Sequence, residues 1–388
     1  MENQPLLRNK RFLSIFSIAF IIYISNYMVM QTIPLYADTL GASAQMLGMV
    51  SGIFSMCALL MRPFSGQLSD TEDKTILLRL VIVGLLVSVF GLAFSRQIWL
   101  LLLFRGLGGF AWGAGSTVCV TIASGCFAKE NLGAGIGVFG LGQTIAQAFA
   151  PMLALKIGEF YGYSFLYQLN IGIFMAAFAL TFLFKAEKNV KRTRKYSLNL
   201  KEMVCFAAIP PASLGMSNYI AQGAVTAFLI IFAHSLEIWG IGVYFTVVAF
   251  TVLLTRPLWG RLTDRYGFLK VIIPCQGFVV AALLTVFFAQ TLWHFILAAL
   301  LMGVGTSGAQ PAFISECIKR APAEQKGSAG NTHYIGLDIG YFIGGNLAGF
   351  VVALTGYRSM FLLFTLPLIL STALFIIFDK RRAAKAEI

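Results

Sequence analysis

Arg62-Pro63-Phe64-Ser65-Gly66-Gln67-Leu68-Ser69-Asp70 returns as Arg256-Pro257-Leu258-Trp259-Gly260-Arg261-Leu262-Thr263-Asp264. Arg, Pro, Gly, Leu and Asp recur at a single offset of 194 residues, and that offset also relates Gly133 to Gly327, Gly142 to Gly336, and Gly162-Tyr163 to Gly356-Tyr357. Matches spread this widely make the chain two copies of one unit. An internal repeat of this length in an apolar chain points to a membrane protein of two similar halves, working where the halves meet.

Composition fixes the solvent. The 388 residues are 58% hydrophobic and only 12% charged, against about a quarter charged in soluble proteins. A bilayer crossing needs roughly 20 apolar residues. Such runs are 12–37, 39–61, 80–95, 131–155, 160–184, 203–233, 238–255, 327–357 and 359–378. The segment 98–126 adds a span with one charge, Arg105, and 271–315 divides at Gln290-Thr291-Leu292-Trp293-His294 into two. The reading is an all-α integral membrane protein of twelve transmembrane helices in two pseudo-symmetric six-helix halves, 1–184 and 203–388, joined by a basic linker, 185–202. The first apolar run is a full span with no small-residue cleavage site, so it is read as helix 1 and not as a removable signal.

With a cytoplasmic amino terminus, 25 of the 29 Lys and Arg fall on the cytoplasmic side, and only Arg96, Lys156 and Arg358 fall outside. This obeys the positive-inside rule and puts both termini in the cytoplasm of a multi-pass cell-membrane protein. The net charge of +13 is therefore read as topology and as affinity for anionic membrane lipids, with no nucleic-acid partner. The linker, with Lys188, Lys191, Arg192, Arg194 and Lys195, is a solvated hinge or a recruiting surface. The six cysteines lie in or beside spans without paired spacing, so neither a disulfide framework nor a metal site is expected.

At the end of helices 2 and 8, each repeated stretch is read as a loop with a glycine for close helix approach and an aspartate flanked by basic residues. Such a loop can make charge-assisted contacts in one conformation and release them in another. Gly66-Gln67-Leu68-Ser69-Asp70 and Gly260-Arg261-Leu262-Thr263-Asp264-Arg265-Tyr266-Gly267 resemble motif A of the major facilitator superfamily, and the six-plus-six layout extends that resemblance to the whole chain. It implies a cytoplasmic latch made by Gly66, Asp70, Arg256, Gly260, Asp264 and Arg265. In the first copy Thr71 replaces the usual basic residue and Asp73 the usual second glycine.

A charge inside a span is costly and faces the bundle interior or a water-filled cavity. Arg105, in Leu103-Phe104-Arg105-Gly106-Leu107-Gly108-Gly109, lies about 10 Å from the outer end of its helix at 1.5 Å per residue. It resembles the motif B arginine of proton-coupled efflux members; the alternative is an arginine that snorkels to the interface. Helices 1 and 7 share Ser25-Asn26-Tyr27 and Ser217-Asn218-Tyr219, with Gln31 and Gln222 farther along. Amides and phenols at this depth either lock helices together or meet a polar ligand. Asn26, Tyr27, Gln31, Arg105, Asn218, Tyr219, Gln222 and Asp338 are the candidate substrate cavity. Helix 5, with Gly133, Gly135, Gly137, Gly140 and Gly142, permits tight packing and resembles motif C of antiporters, although Ala150-Pro151 stands where Gly-Pro is usual.

Asp338 is the only carboxylate deep in a span, about 16 Å into its helix at 1.5 Å per residue. It is either a proton carrier or a structural acid; with Arg105 and His333 it forms the candidate proton-coupling set. His333, five residues away, is not an i, i+4 partner. The sequence has no Walker A motif, metal-ligand cluster or nucleophile elbow, so no cofactor is called for. The function expected is a monomeric secondary transporter, a proton-coupled exporter of a small organic solute by alternating access, resembling the drug and metabolite proton antiporters. The alternatives are a proton-coupled or facilitative importer and, from another class, an intramembrane enzyme or a channel.

The charge count makes one outcome checkable. A cysteine placed in the 185–202 linker is expected to resist an impermeant thiol reagent added outside intact cells and to react after permeabilisation. Ready labelling from outside would invert the topology.

Overall fold

A computed structural model of the chain describes residues 10–127, 132–183, 204–322 and 325–386. The 185–202 linker lies outside the described residues. Hydrocarbon offers no partner to a backbone N–H or C=O, so each crossing must close its own hydrogen bonds. Among the described residues the secondary structure is accordingly helical, without a strand. Twelve helices follow in order: α1 Lys10–Thr39, α2 Ala44–Thr71, α3 Lys74–Phe94, α4 Ile98–Ser124, α5 Leu132–Tyr161, α6 Tyr163–Leu183, α7 Ile209–Ser235, α8 Val243–Tyr266, α9 Phe268–Phe287, α10 Leu292–Arg320, α11 Lys326–Leu363 and α12 Thr365–Ala386.

Among the described residues eleven helices are long and apolar enough to cross a membrane, and the apolar part of the twelfth, Thr365–Asp379, is shorter. The shortfall has a local cause. Helix α11 is broken at Gly356, whose φ of 82° is left-handed, so the last crossing begins at Tyr357. Gly162, one repeat earlier, has φ 86° and separates α5 from α6. Only glycine takes this conformation without strain. The repeated Gly-Tyr pair is therefore the same turn in both halves.

Clustering of contacts divides the chain into two compact units, Met1–Ala42 with Ile53–Ser197, and Ser43–Gly52 with Leu198–Ile388. In the first, α1 packs on α5 and α6, and α3 on α4 and α6; in the second, α7 packs on α11 and α12, and α9 on α10. The helices are apolar all round, as spans are. On α3, Leu78, Ile82, Leu85 and Val89 are buried while Leu80, Val83, Val87 and Phe90 are exposed. Trp99, Trp239 and Trp293 are exposed near helix ends, where amphipathic rings anchor to the headgroup region.

Two boundaries differ from the sequence reading. The stretches after helices 2 and 8 are not loops: Arg62–Asp70 and Arg256–Asp264 are the last turns of α2 and α8. A helix does not stop where the hydrocarbon stops, since charged side chains suit its solvated end. It stops at a conformational signal. For α8 that signal is Gly267, φ 82°, whose N–H reaches the Thr263 carbonyl. In the first copy Asp73 does different work as the N-cap of α3, its carboxylate accepting from the N–H groups of Thr75 and Ile76.

The tightest pairing in the second unit is α7 against α11. Gly336, Gly340 and Gly344 recur every four residues and so lie on one face of α11. A Cβ on Gly340 would lie 2.7 Å from the Met216 carbonyl oxygen, one on Gly336 3.0 Å from that of Ala212, and one on Gly344 would collide with that of Ile220. In lipid, where helices gain nothing by excluding water from one another, such backbone contact is a main source of association.

Gly344→Ala is therefore expected to push α11 off α7 and cost about 1–3 kcal/mol, the range for overpacking. Gly172→Ala on α6, where a Cβ meets nothing within 4 Å, is expected to cost nothing. Thermal unfolding of the two purified variants in detergent checks the contrast, and equal midpoints would remove the pairing argument.

Candidate functional site

The Ser-Asn-Tyr triplets inside α1 and α7 are anchored alike in each unit. Ser25 on α1 donates to Oδ1 of Asn170 on α6, and Ser217 on α7 accepts from Ser371 on α12 at 2.7 Å. In both halves the triplet's serine thus ties the first helix to the sixth. The following residues diverge. Asn26 is buried, and the half-buried Tyr27 hydroxyl accepts from Nε2 of Gln143 on α5 at 3.1 Å. Gln31 is also buried, and its Oε1 has no hydrogen-bond partner among the described residues.

On α7 the amides build a chain across four helices. Nδ2 of Asn218 donates to Oε1 of Gln276 on α9 at 2.9 Å, and Asn218 Oδ1 accepts from Gln222 Nε2 at 2.6 Å. Gln222 Oε1 in turn accepts from the Tyr341 hydroxyl of α11 at 3.1 Å and from Nε2 of Gln310 on α10 at 3.4 Å. A buried amide left unpaired costs about 1–3 kcal/mol, so each link keeps the next satisfied. The sequence reading found Asn218 and Gln222 but missed Gln276, Gln310 and Tyr341. Their signal was available: each is a polar residue inside an apolar run.

Beside this chain, Tyr219 meets α11. Its hydroxyl is 3.3 Å from Nε2 of His333, and Asp338, 4% exposed, is close enough for its charge to act on the same phenol. Of the two α11 residues, His333 is the one that Tyr219 meets at hydrogen-bond distance. His333 Nδ1 has no partner among the described residues.

In the first unit Arg105 is 3% exposed, on the face of α4 opposite Leu103, Leu107 and Phe110, which face outward. Its Cζ lies 4.0 Å above the centre of the Phe54 ring of α2. The glycines after it make this possible: a Cβ on Gly109 would collide with the Phe54 carbonyl oxygen, and one on Gly106 would meet Cys57 Sγ at 3.2 Å. The Arg105 charge also acts on the Tyr167 phenol of α6, which lies 3.3 Å from Thr32 Oγ1 on α1. Phe54 and Tyr167 carry no sequence motif, and nothing in the chain's pattern singled them out.

At the repeated helix ends, Arg62 donates through Nη1 to Ser116 Oγ on α4 at 3.2 Å, while Arg256 and Gly260 are exposed. The Arg265 guanidinium lies 5.3 Å from the centre of its neighbour's ring, Tyr266. The side chains of Asp70 and Asp264, and Gly66 beyond its backbone, lie outside the described residues. A further ionic cluster lies at the end of α10, where Arg320 pairs with Glu316 through Nε and with Asp379 of α12 through Nη2, both at 2.6 Å. The sequence reading missed Asp379 because a single acid in a basic tail looks like solvated surface. Among the described residues no three His, Cys, Asp or Glu gather in a way that could hold a metal ion.

Buried amides, one buried cation and one buried acid on packed membrane helices form polar environments that can bind a solute and hold a proton. Comparison with known proteins agrees with that architecture. Multidrug resistance protein MdtG of Salmonella choleraesuis is 24% identical over 354 residues, 86% of each chain. MdtG of Enterobacter lignolyticus is 25% identical over 355 residues, 86% of this chain and 84% of that one. Among solved structures, the nucleoside transporter NupG superposes with a TM-score of 0.80 at 13% identity, covering 96% of this chain and 99% of that one. A POT family transporter in complex with 5-aminolevulinic acid gives 0.78 at 14% identity, covering 95% and 96%. The family model described as Major Facilitator Superfamily matches residues 15–236 and again 212–388, and the chain belongs to that superfamily of membrane transporters.

Proposed function

We propose that this chain is a secondary transporter that exports a small organic solute across the cell membrane by alternating access, driven by inward proton flow. The observation that carries the reading is the pair of charges held inside apolar helices, Arg105 at 3% and Asp338 at 4% exposure. A charge at membrane depth costs at least about 2.5 kcal/mol, and structure alone does not call for it. Asp338, beside Tyr219 and His333, is the group that takes up and releases the proton. Arg105 and the amides of Asn26, Gln31, Asn218 and Gln222, with Tyr27 and Tyr219, line the solute's path. The relatives named multidrug resistance proteins favour export.

The protein works as a monomer in contact with anionic lipids, both termini cytoplasmic, with halves 1–184 and 203–388 on either side of the 185–202 linker. It moves its solute without covalent change, as a carrier and not as an enzyme. The ends of α2 and α8 act as the latch, through Gly66, Asp70, Arg256, Gly260, Asp264 and Arg265. A second reading, a proton-coupled or facilitative importer, draws support from Ala150-Pro151, which departs from the antiporter-associated Gly-Pro.

Reconstituted protein under an imposed pH gradient tests the reading, the direction of solute movement separating exporter from importer. Asp338→Asn is expected to abolish gradient-driven accumulation while sparing downhill exchange; a variant that still concentrates solute on protons alone would move the coupling role to Asp38, Glu316 or His333. For the latch, Asp264→Asn is expected to lower transport at unchanged membrane abundance, and Asp70→Asn to do less, because the first copy lacks the second glycine and the following basic residue. Full transport by both variants would reduce these ends to turns.

A further inference from the structure

Among the described residues three arginines lie over phenylalanine rings, and they differ in what their edges do. Arg79 lies 4.4 Å from the Phe182 ring centre, and its Nε and Nη2 donate to the side-chain and main-chain oxygens of Thr181, each at 3.2 Å. Arg320 lies 5.0 Å from the Phe375 ring centre, and its edge reaches Glu316 and Asp379. Arg105 lies nearest, 4.0 Å above Phe54. Yet among the described residues its guanidinium has no acceptor and no carboxylate: Nε is sealed from solvent without a partner, and neither terminal nitrogen makes a hydrogen bond or an ion pair.

Stacking on an aromatic face engages the face of the guanidinium and leaves its five N–H donors pointing outward in the plane. A buried cation in that condition is expensive unless something supplies acceptors. Tyr167, the titratable group that acts on Arg105, supplies no hydrogen bond to it among the described residues. A planar fork of donors, fixed from one side by Phe54, matches a carboxylate or a phosphonate, which can accept two parallel bonds.

What lies beside the fork narrows the class. The Phe54 ring is 6.3 Å from that of Trp112, Trp112 is 5.8 Å from Tyr23, and Tyr23 is 6.3 Å from Phe139. Aromatic rings from α1, α2, α4 and α5 are thus linked pair by pair to the ring beneath the cation, apolar bodies that a small inorganic ion would not use. We propose that Arg105 receives the negative charge of an amphipathic organic anion whose apolar body lies along Phe54, Trp112 and Tyr23. The inference rests on the reading of the chain as a small-solute transporter and names the class of solute. The rival is a fork satisfied by water alone.

Equilibrium binding to the purified full-length protein in detergent decides between them, with three probes of one shape: naphthoate, naphthylmethanol and naphthylmethylammonium. A charge-assisted contact predicts that the wild type binds naphthoate about tenfold or more tightly than the neutral alcohol, and the cation most weakly. Arg105→Gln removes the preference and levels naphthoate with the alcohol. Arg105→Lys, which keeps the charge and loses the fork, retains only part of the preference. No anion preference in the wild type, no binding of any probe, or a preference that survives Arg105→Gln overturns the proposal. Should the glutamine variant fail to fold, the wild-type order and the lysine variant still decide. Binding in detergent needs no gradient, so naphthoate that binds but is not moved by reconstituted protein refutes the transport reading and leaves the anion site standing; a solute moved without anion preference does the reverse.

Discussion

Hydrocarbon cannot make a hydrogen bond, and the whole structure is arranged around that fact. The backbone meets it by remaining helical through every crossing. Side chains meet it according to their reach. A hydroxyl folds back onto its own helix: Thr32, Thr251, Thr255 and Thr306 each donate to the carbonyl four residues earlier. An amide has donors and acceptors together: Asn170 and Asn346 donate back to their own helices, while Asn218 and Gln222 also reach other helices. A guanidinium has five donors and no acceptor, and within its unit Arg105 finds only a ring face. The order in which polar groups go unsatisfied is the order in which they become candidates for function.

Helix α7 shows what that constraint does to a unit. It is the most buried of the spans, and successive residues reach α12 through Ser217, α9 through Asn218, α11 through Tyr219, and both α10 and α11 through Gln222. The glycines of α11 bring the two backbones together closely enough for these side chains to meet. Interactions of this kind average roughly 0.6 kcal/mol in membrane proteins, so no single one holds the helices. Their value is geometric: together they tie α7 to α9, α10, α11 and α12 within the second unit.

Much of this was legible in the sequence, and the reason is periodicity. Twelve spans, two halves and the Gly-Tyr turn at 162 and 356 follow from runs and offsets that lipid makes unambiguous. Helix ends were less legible, because hydropathy reports where the hydrocarbon ends and not where the helix does; α2 runs on through Arg62 and Pro63 to Thr71. The candidate site was readable where a residue type is costly in lipid, as with Arg105, Asp338 and Asn218. It was unreadable where the partner is ordinary. Phe54 is one of 35 phenylalanines, and only the close approach that Gly109 allows to its carbonyl, where a Cβ would collide, shows why this one lies beneath the arginine.

The two halves share a scaffold and divide the chemistry. One offset relates the latch stretches, the left-handed glycines and the α5 and α11 packing faces, where Gly142, Ala146 and Ala150 answer to Gly336, Gly340 and Gly344. It does not relate the charges held within the helix bundle. Arg105 corresponds to Ala299 and Asp338 to Thr144, while Glu316 and Arg320 correspond to Ile122 and Cys126. A small residue at a helix contact can be repeated at no electrostatic cost, whereas every further buried charge brings its own desolvation penalty. A duplicated fold is therefore free to keep two copies of its packing and one copy of each charge. Each half then offers a different polar environment, cationic on α4 and acidic on α11.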